Sequence, residues 1–193
     1  SFKDLFQKKY IRILAVGSIL TVIQQWSGTN VIFSYSPMIY ESAGFSTNNA
    51  VFQTIFIGIV NFIFTLVSIP LIERYGRKKI LFTGLASNLV TLIIIGTYFQ
   101  LELTAPWLLI PTFLFCVASF AATLGPVMWI VISEISPSAI RSQAMSVFIF
   151  SLWIAGMLGT FSFPVLKAAV GSSIIFYLYA LICLVSILFI SKY

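Results

Sequence analysis

The charged residues of this sequence stand apart at intervals that match the thickness of a lipid bilayer. After a basic start (Lys3, Lys8, Lys9, Arg12), uncharged stretches run between Arg12 and Glu41, Glu41 and Glu73, and Lys79 and Glu102. Three more run between Glu102 and Glu134, Arg141 and Lys167, and Lys167 and Lys192. Each exceeds the ~20 residues with which a helix rising ~1.5 Å per residue crosses ~30 Å of hydrocarbon. Lipid offers no partner to backbone N–H and C=O groups, so such stretches are expected to be helices. A membrane barrel would need ~10-residue segments alternating apolar and polar, and runs such as Leu89–Gly96 and Ile182–Ile190 do not alternate. The expected fold is therefore an all-α transmembrane six-helix bundle, with spans near 13–39, 50–72, 79–100, 107–132, 142–165 and 171–191.

Composition supports this. The chain is 60% hydrophobic and only 8% charged, where soluble domains carry roughly 25% charge. It cannot cover a water-facing surface, which excludes a soluble enzyme, a nucleic-acid binder and a disordered tail. An even number of crossings puts both termini on one side. Lys3, Lys8, Lys9, Arg12, Arg74, Arg77, Lys78, Lys79, Arg141 and Lys192 share that side, and Lys167 stands alone opposite. The bias makes the shared side cytoplasmic, in a plasma or bacterial inner membrane. It also locates the net charge of +6 in short loops beside the bilayer rather than on a nucleic-acid surface. Connections are short, so sequential helices should be antiparallel neighbours in one unit spanning 1–193. The basic, amphipathic Phe2–Arg12 fits an interfacial helix and a plain connector equally well.

Catalysis has no apparatus here. There is no His, Cys116 and Cys183 fall inside spans without metal-ligand spacing, and Asp4, Glu41, Glu73, Glu102 and Glu134 lie near span ends. No catalytic residue, metal or cofactor is expected.

Polar residues deep in spans are costly and mark either helix–helix contacts or a pathway. The densest set is Gln24-Gln25-Trp26-Ser27-Gly28-Thr29-Asn30, followed by Ser34-Tyr35-Ser36-Pro37. Asn30 lies five residues beyond Gln25, about 140° round an ideal helix. The two amides can serve one site only if the helix unwinds near Ser27-Gly28-Thr29, a break tolerated where it lines a cavity. Asn61, with Thr65 and Ser68, makes a narrow stripe that suits interhelical packing or ligand contact. Gly125-Pro126 interrupts the fourth span, and Trp129 follows on the same side, either as an interfacial anchor or as a binding surface. Trp153, deeper in its span, is harder to read as an anchor. Amides both donate and accept, which suits vicinal hydroxyls, and an indole face suits the C–H side of a sugar ring. On the basic side, Glu73-Arg74-Tyr75-Gly76-Arg77-Lys78-Lys79 forms a tight turn, and Glu134-Ile135-Ser136-Pro137 leads to Arg141. Their mixed signs exceed what orientation alone requires.

In this order the motifs resemble the C-terminal six-helix half of the sugar porter family of the major facilitator superfamily. Gln24-Gln25-x-Ser27-Gly28-x-Asn30 is similar to its seventh-helix signature, and Glu73-Arg74-x-Gly76-Arg77-Lys78 to its eighth-to-ninth loop. Gly125-Pro126-Val127-Met128-Trp129 resembles its tenth helix, and Glu134-x-x-Pro137-x-x-x-Arg141 the loop that follows. The resemblance implies alternating access between two six-helix bundles, as uniport or proton symport. It implies a monosaccharide or polyol bound by Gln24, Gln25, Asn30, Asn61 and Trp129. Tyr35 would help to close the outer gate. Glu73, Arg74, Arg77, Glu134 and Arg141 would form inner-gate salt bridges that open in one state. It also implies a missing N-terminal six-helix half, so that the chain is a fragment of a twelve-helix protein. A transporter-like sugar receptor that binds without transporting is the alternative. Two positions depart from the pattern: Ser34 replaces the first of two aromatics, and Leu152, before Trp153, stands where an amide is common. The second departure points away from glucose-like recognition, toward another sugar or a polyol.

Overall fold

The computed structural model describes residues 7–42, 46–103 and 106–192, and the regular structure among them is entirely helical. Its elements are α1 (Lys8–Gln25), α2 (Thr29–Ser42), α3 (Thr47–Tyr75) and α4 (Arg77–Gln100), then a short 3-10 turn at Pro106–Leu108. After it come α5 (Leu109–Ala122), α6 (Leu124–Glu134) and α7 (Arg141–Lys192).

Among the described residues, four stretches are long and apolar enough to cross a membrane: Ile55–Tyr75, Arg77–Gln100, Leu109–Glu134 and Arg141–Lys192. The sequence predicts six, and the difference has a local cause. The first expected span is two helices, α1 and α2, of 18 and 14 residues, each shorter than the ~20 that hydrocarbon requires. The last two expected spans are the two helices that make up the 52 residues of α7 and meet at a kink. Gly171 is non-helical at φ 83°, ψ 164°, and divides α7 into two arms at the connection predicted near Lys167–Ser172.

Helices overrun the predicted spans because charged residues continue them into the flanking region. Lys8, Lys9 and Arg12 belong to α1, and Glu73 and Arg74 to the last turn of α3. Of the proposed interfacial segment Phe2–Arg12, the part up to residue 6 lies outside the described residues; the remainder enters α1 directly. Parts of the predicted outer connections, residues 43–45 and 104–105, also lie outside them.

Packing is densest between α4 and α7, α1 and α7, and α3 and α5. Their shared core contains Ile32, Leu85, Leu92, Phe113, Phe148 and Phe176, all essentially inaccessible. Two glycines permit the closest approaches. A Cβ at Gly17 would collide with the Phe148 ring of α7, and one at Gly84 with Thr123 at the α5–α6 junction. α3 is the least enclosed: only 17% of its apolar window is buried, against 50% for α4. Its outward Phe52, Ile55, Phe62 and Leu66 suit lipid rather than water.

Candidate binding site at two helix breaks

Two interruptions meet in the middle of the bundle. The first is at Trp26–Gly28, where Gly28 takes φ 87°. Only glycine reaches that region without strain, and any side chain there would also press on Leu92. The second is at Thr123 (φ −131°, ψ −87°), which ends α5 and begins α6. The predicted interruption at Gly125-Pro126 thus falls slightly earlier. Pro126 sits in the first turn of α6, where a missing N–H costs nothing.

Because α1 ends and α2 restarts across Trp26–Gly28, residues that a continuous helix would hold about 140° apart come to share one space. Gln24, Gln25, Asn30 and Phe33 line a partly open cavity of about 170 Å³ with Phe120 of α5, Trp129 of α6 and Leu152 of α7. Four of the five predicted contact residues are therefore neighbours. The fifth, Asn61 on α3, is half-buried and outside this lining; its backbone carbonyl accepts a bond from Thr65.

The amides differ in what they have left to offer. Gln24 is 94% buried, and its Nε2 donates to the carbonyls of Leu124 (3.2 Å) and Gly125 (3.0 Å), joining the two breaks. Its Oε1 is buried without a hydrogen-bond partner among the described residues. Such an acceptor costs roughly 1–3 kcal/mol until something donates to it. Gln24 is thus an acceptor only, not the dual group the sequence suggests. Gln25 and Asn30 make no side-chain hydrogen bond with another described residue and keep both functions. Gly156 makes room for Gln25, since a Cβ there would lie 3.3 Å from its Oε1. Trp129 is 38% exposed and lines the cavity, whereas Trp153 is 70% exposed and does not line it.

Tyr35, five residues beyond Asn30, donates from its hydroxyl to the Thr160 carbonyl of α7 at 2.8 Å. Its ring stacks on Phe163 with centroids 4.8 Å apart. This fastens α2 to the first arm of α7.

The charged residues of the basic side are less gathered. Arg77 pairs with Glu134 at 2.7 Å, joining the α3–α4 turn to the end of α6, with both side chains about half exposed. Arg141 donates from Nε to the Ser136 carbonyl at 3.2 Å, and Arg74 lies over the Tyr75 ring at 5.5 Å. Glu73 is exposed and forms no ion pair among the described residues. Gly76 takes φ 78°, as the tight turn requires. A roomier cavity of about 250 Å³ adjoins the Arg77–Glu134 pair. Its other walls are mainly aliphatic, including Leu20, Leu81, Val131 and Ile190, and it lacks converging amides, so the smaller cavity is the better binding site.

Three contributors escape a reading of the sequence. Phe33 and Phe120 look like ordinary apolar residues, and only the breaks aim them at the cavity. Asn88 of α4 is fully buried beside the first break. Its signal was available: it is an amide in the middle of its span, beside Ser87 and Thr91.

Residues 1–192 match the model of the family described as "Sugar (and other) transporter". The chain belongs to the sugar porter family of the major facilitator superfamily. Sugar porters are multi-pass membrane transporters, not enzymes. This sugar porter chain is 33% identical to the D-xylose-proton symporter of Escherichia coli (strain K12) over 81% of its own length and 32% of that protein's. It is 35% identical to the arabinose-proton symporter of Bacillus subtilis (strain 168), over 98% of its length and 41% of the relative's. Among solved structures it resembles the proton:xylose symporter XylE bound to 6-bromo-6-deoxy-D-glucose, with a TM-score of 0.84 at 30% identity. That match covers 93% of this chain and 39% of XylE. The chain thus spans about a third to two-fifths of the length of these relatives.

Proposed function

We propose that this chain is the C-terminal six-helix half of a sugar carrier, with both termini cytoplasmic, working by alternating access against a second bundle. Its substrate is a monosaccharide or polyol held at the paired helix breaks. The observation that carries this reading is the buried Oε1 of Gln24, unpartnered among the described residues, in a side chain that lines a cavity beside two amides that keep their full capacity. A hydroxyl-rich ligand donates to Gln24 and exchanges bonds with Gln25 and Asn30, while Trp129, Phe33 and Phe120 offer apolar faces to ring C–H groups. Three or four such bonds at about 0.5–1.5 kcal/mol each, with one stacking contact, suit millimolar to micromolar binding. A carrier benefits from that weakness, because its ligand must leave.

In this reading Asn61 completes the site from its flank once the second bundle narrows the space. Tyr35 belongs to the outer gate. Arg77–Glu134 is one inner-gate contact, and Glu73, Arg74 and Arg141 find their partners in the state that closes the inner side. The names of the xylose and arabinose relatives favour proton symport over uniport. They also favour transport over a receptor that only binds.

The test is reconstitution of the full-length protein in liposomes, with counterflow of labelled pentoses, hexoses and polyols. Saturable exchange of at least one, lost in Gln25→Ala and Asn30→Ala, supports the proposal. Saturable binding without flux would leave the receptor in its place, and neither binding nor flux for any compound would overturn both.

A further inference from the structure

The geometry of the cavity depends on a joint that is not itself part of the lining. Gln25 precedes the first break and Asn30 follows it, so their relative position is set by the backbone of residues 26–29. That backbone contains Gly28, the residue type with the widest conformational freedom. A joint of this kind needs an external clamp if two amides are to meet one ligand in fixed register.

The clamp is visible in α4. Asn88 Nδ2 donates to Thr29 Oγ1 at 2.9 Å and reaches the Ser27 carbonyl at 3.5 Å, so one amide bridges both sides of Gly28. Its own Oδ1 accepts from Cys116 Sγ of α5 at 3.7 Å. Cys183 Sγ of α7 is a second donor to the Ser27 carbonyl, at 3.5 Å. Ser27 closes its own turn by donating from Oγ to the Gln24 carbonyl at 2.9 Å. Ser27, Thr29, Asn88, Cys116 and Cys183 are all at most 1% exposed. No water competes for these groups, and helices α4, α5 and α7 converge on a stretch of three residues.

We propose that Asn88 is a positioning residue for sugar binding: it fixes the α1–α2 break so that Gln25 and Asn30 present their amides to the same ligand. This rests on the reading of the cavity as the sugar site. Asn88 touches no ligand. It acts by keeping the site assembled before the ligand arrives, which removes an ordering cost that binding would otherwise carry.

The experiment uses the full-length protein with the sugar that the counterflow panel selects, and the variants Asn88→Leu, Thr29→Val and their combination. Equilibrium binding is expected to weaken roughly tenfold in Asn88→Leu and less in Thr29→Val. The double variant should be no weaker than Asn88→Leu alone, because both changes cut one linkage. Backbone amides of residues 32–34, whose bonds begin at the Gly28 carbonyl, should exchange hydrogen faster in Asn88→Leu, and the melting temperature should fall as well, because buried groups at the break lose their donor. Unchanged affinity in folded Asn88→Leu, or losses that simply add in the double variant, would overturn the proposal. So would a fall in melting temperature with binding intact, which is what a purely structural role produces. If Asn88→Leu does not assemble, Thr29→Val preserves side-chain volume and carries the same decision on affinity. If the wild-type protein binds no sugar, the site reading fails by itself. Hydrogen exchange at 32–34 then decides the clamp: acceleration sustains it, and unaltered exchange ends it.

Discussion

The amides at the helix breaks and the charges on the basic side were both conspicuous in the sequence, yet the structure gathers them to very different degrees. Gln24, Gln25, Asn30 and Trp129 line one cavity. Of Glu73, Arg74, Arg77, Glu134 and Arg141, Arg77 and Glu134 form the ion pair seen among the described residues. Solvation explains the contrast. An amide inside an apolar bundle must find polar company, because each orphaned group costs about 1–3 kcal/mol. A charge at the bundle's end is already satisfied by water, and a half-exposed pair is worth only about 0–1 kcal/mol. Burial thus commits the Gln24 donor to the second break, and the first break brings the partly buried Gln25 and Asn30 beside it, while the charges remain free to exchange partners. That division suits a carrier whose site is kept and whose gate is remade.

The contrast is broken most severely at Gln24. Gln24→Leu removes the link to the Leu124 and Gly125 carbonyls as well as the open acceptor. It should abolish measurable sugar binding and lower the melting temperature of the full-length protein, read by calorimetry and thermal unfolding. Gln25→Ala and Asn30→Ala come next. Each should weaken binding by about 1–3 kcal/mol with melting nearly unchanged, since neither side chain has a hydrogen-bond partner to lose among the described residues. A large loss of stability in either would mean that these amides are structural after all.

Gly156→Ala is a finer probe. Its Cβ would sit 3.3 Å from Gln25 Oε1, so Gln25 must shift by a few tenths of an ångström. A several-fold weakening of binding is expected, smaller than that of Gln25→Ala, in a titration of both variants. The smallest equilibrium effect belongs to the inner side. Arg77→Ala or Glu134→Ala should change stability by about 0–1 kcal/mol and leave sugar affinity near wild type, while altering the rate of counterflow. Raising salt should reproduce part of that rate change in wild type and none of it in the variants.

Much of this was legible in the sequence, for reasons that also mark where legibility ends. Charge spacing located the apolar helices, because lipid imposes a length on each. The five-residue offset of Gln25 and Asn30 required a break, and the chain does leave its helix at 26–28. Continuity was harder to read: Gly171 falls inside the connection expected near Lys167–Ser172, but the division at Thr123 rather than Gly125-Pro126 depends on packing that no local pattern encodes. The site shows the same limit. Residue type nominated the amides, but Phe33 and Phe120 were indistinguishable from core. The commitment of Gln24's donor to α6 follows from a contact between residues 100 positions apart. Asn61 could not be resolved by pattern at all, because its surroundings lie on the least enclosed helix.

The central claim is that Gln24 Oε1 is kept open for a hydroxyl donor. A sugar-bound structure of the full-length protein, at a resolution that places the hydroxyls, tests it most directly. We expect a ring hydroxyl within hydrogen-bond distance of Gln24 Oε1, with Gln25 and Asn30 on its neighbours and Trp129 beside the ring. A sugar bound elsewhere, with that oxygen still unpaired or satisfied by a protein group, would contradict the account.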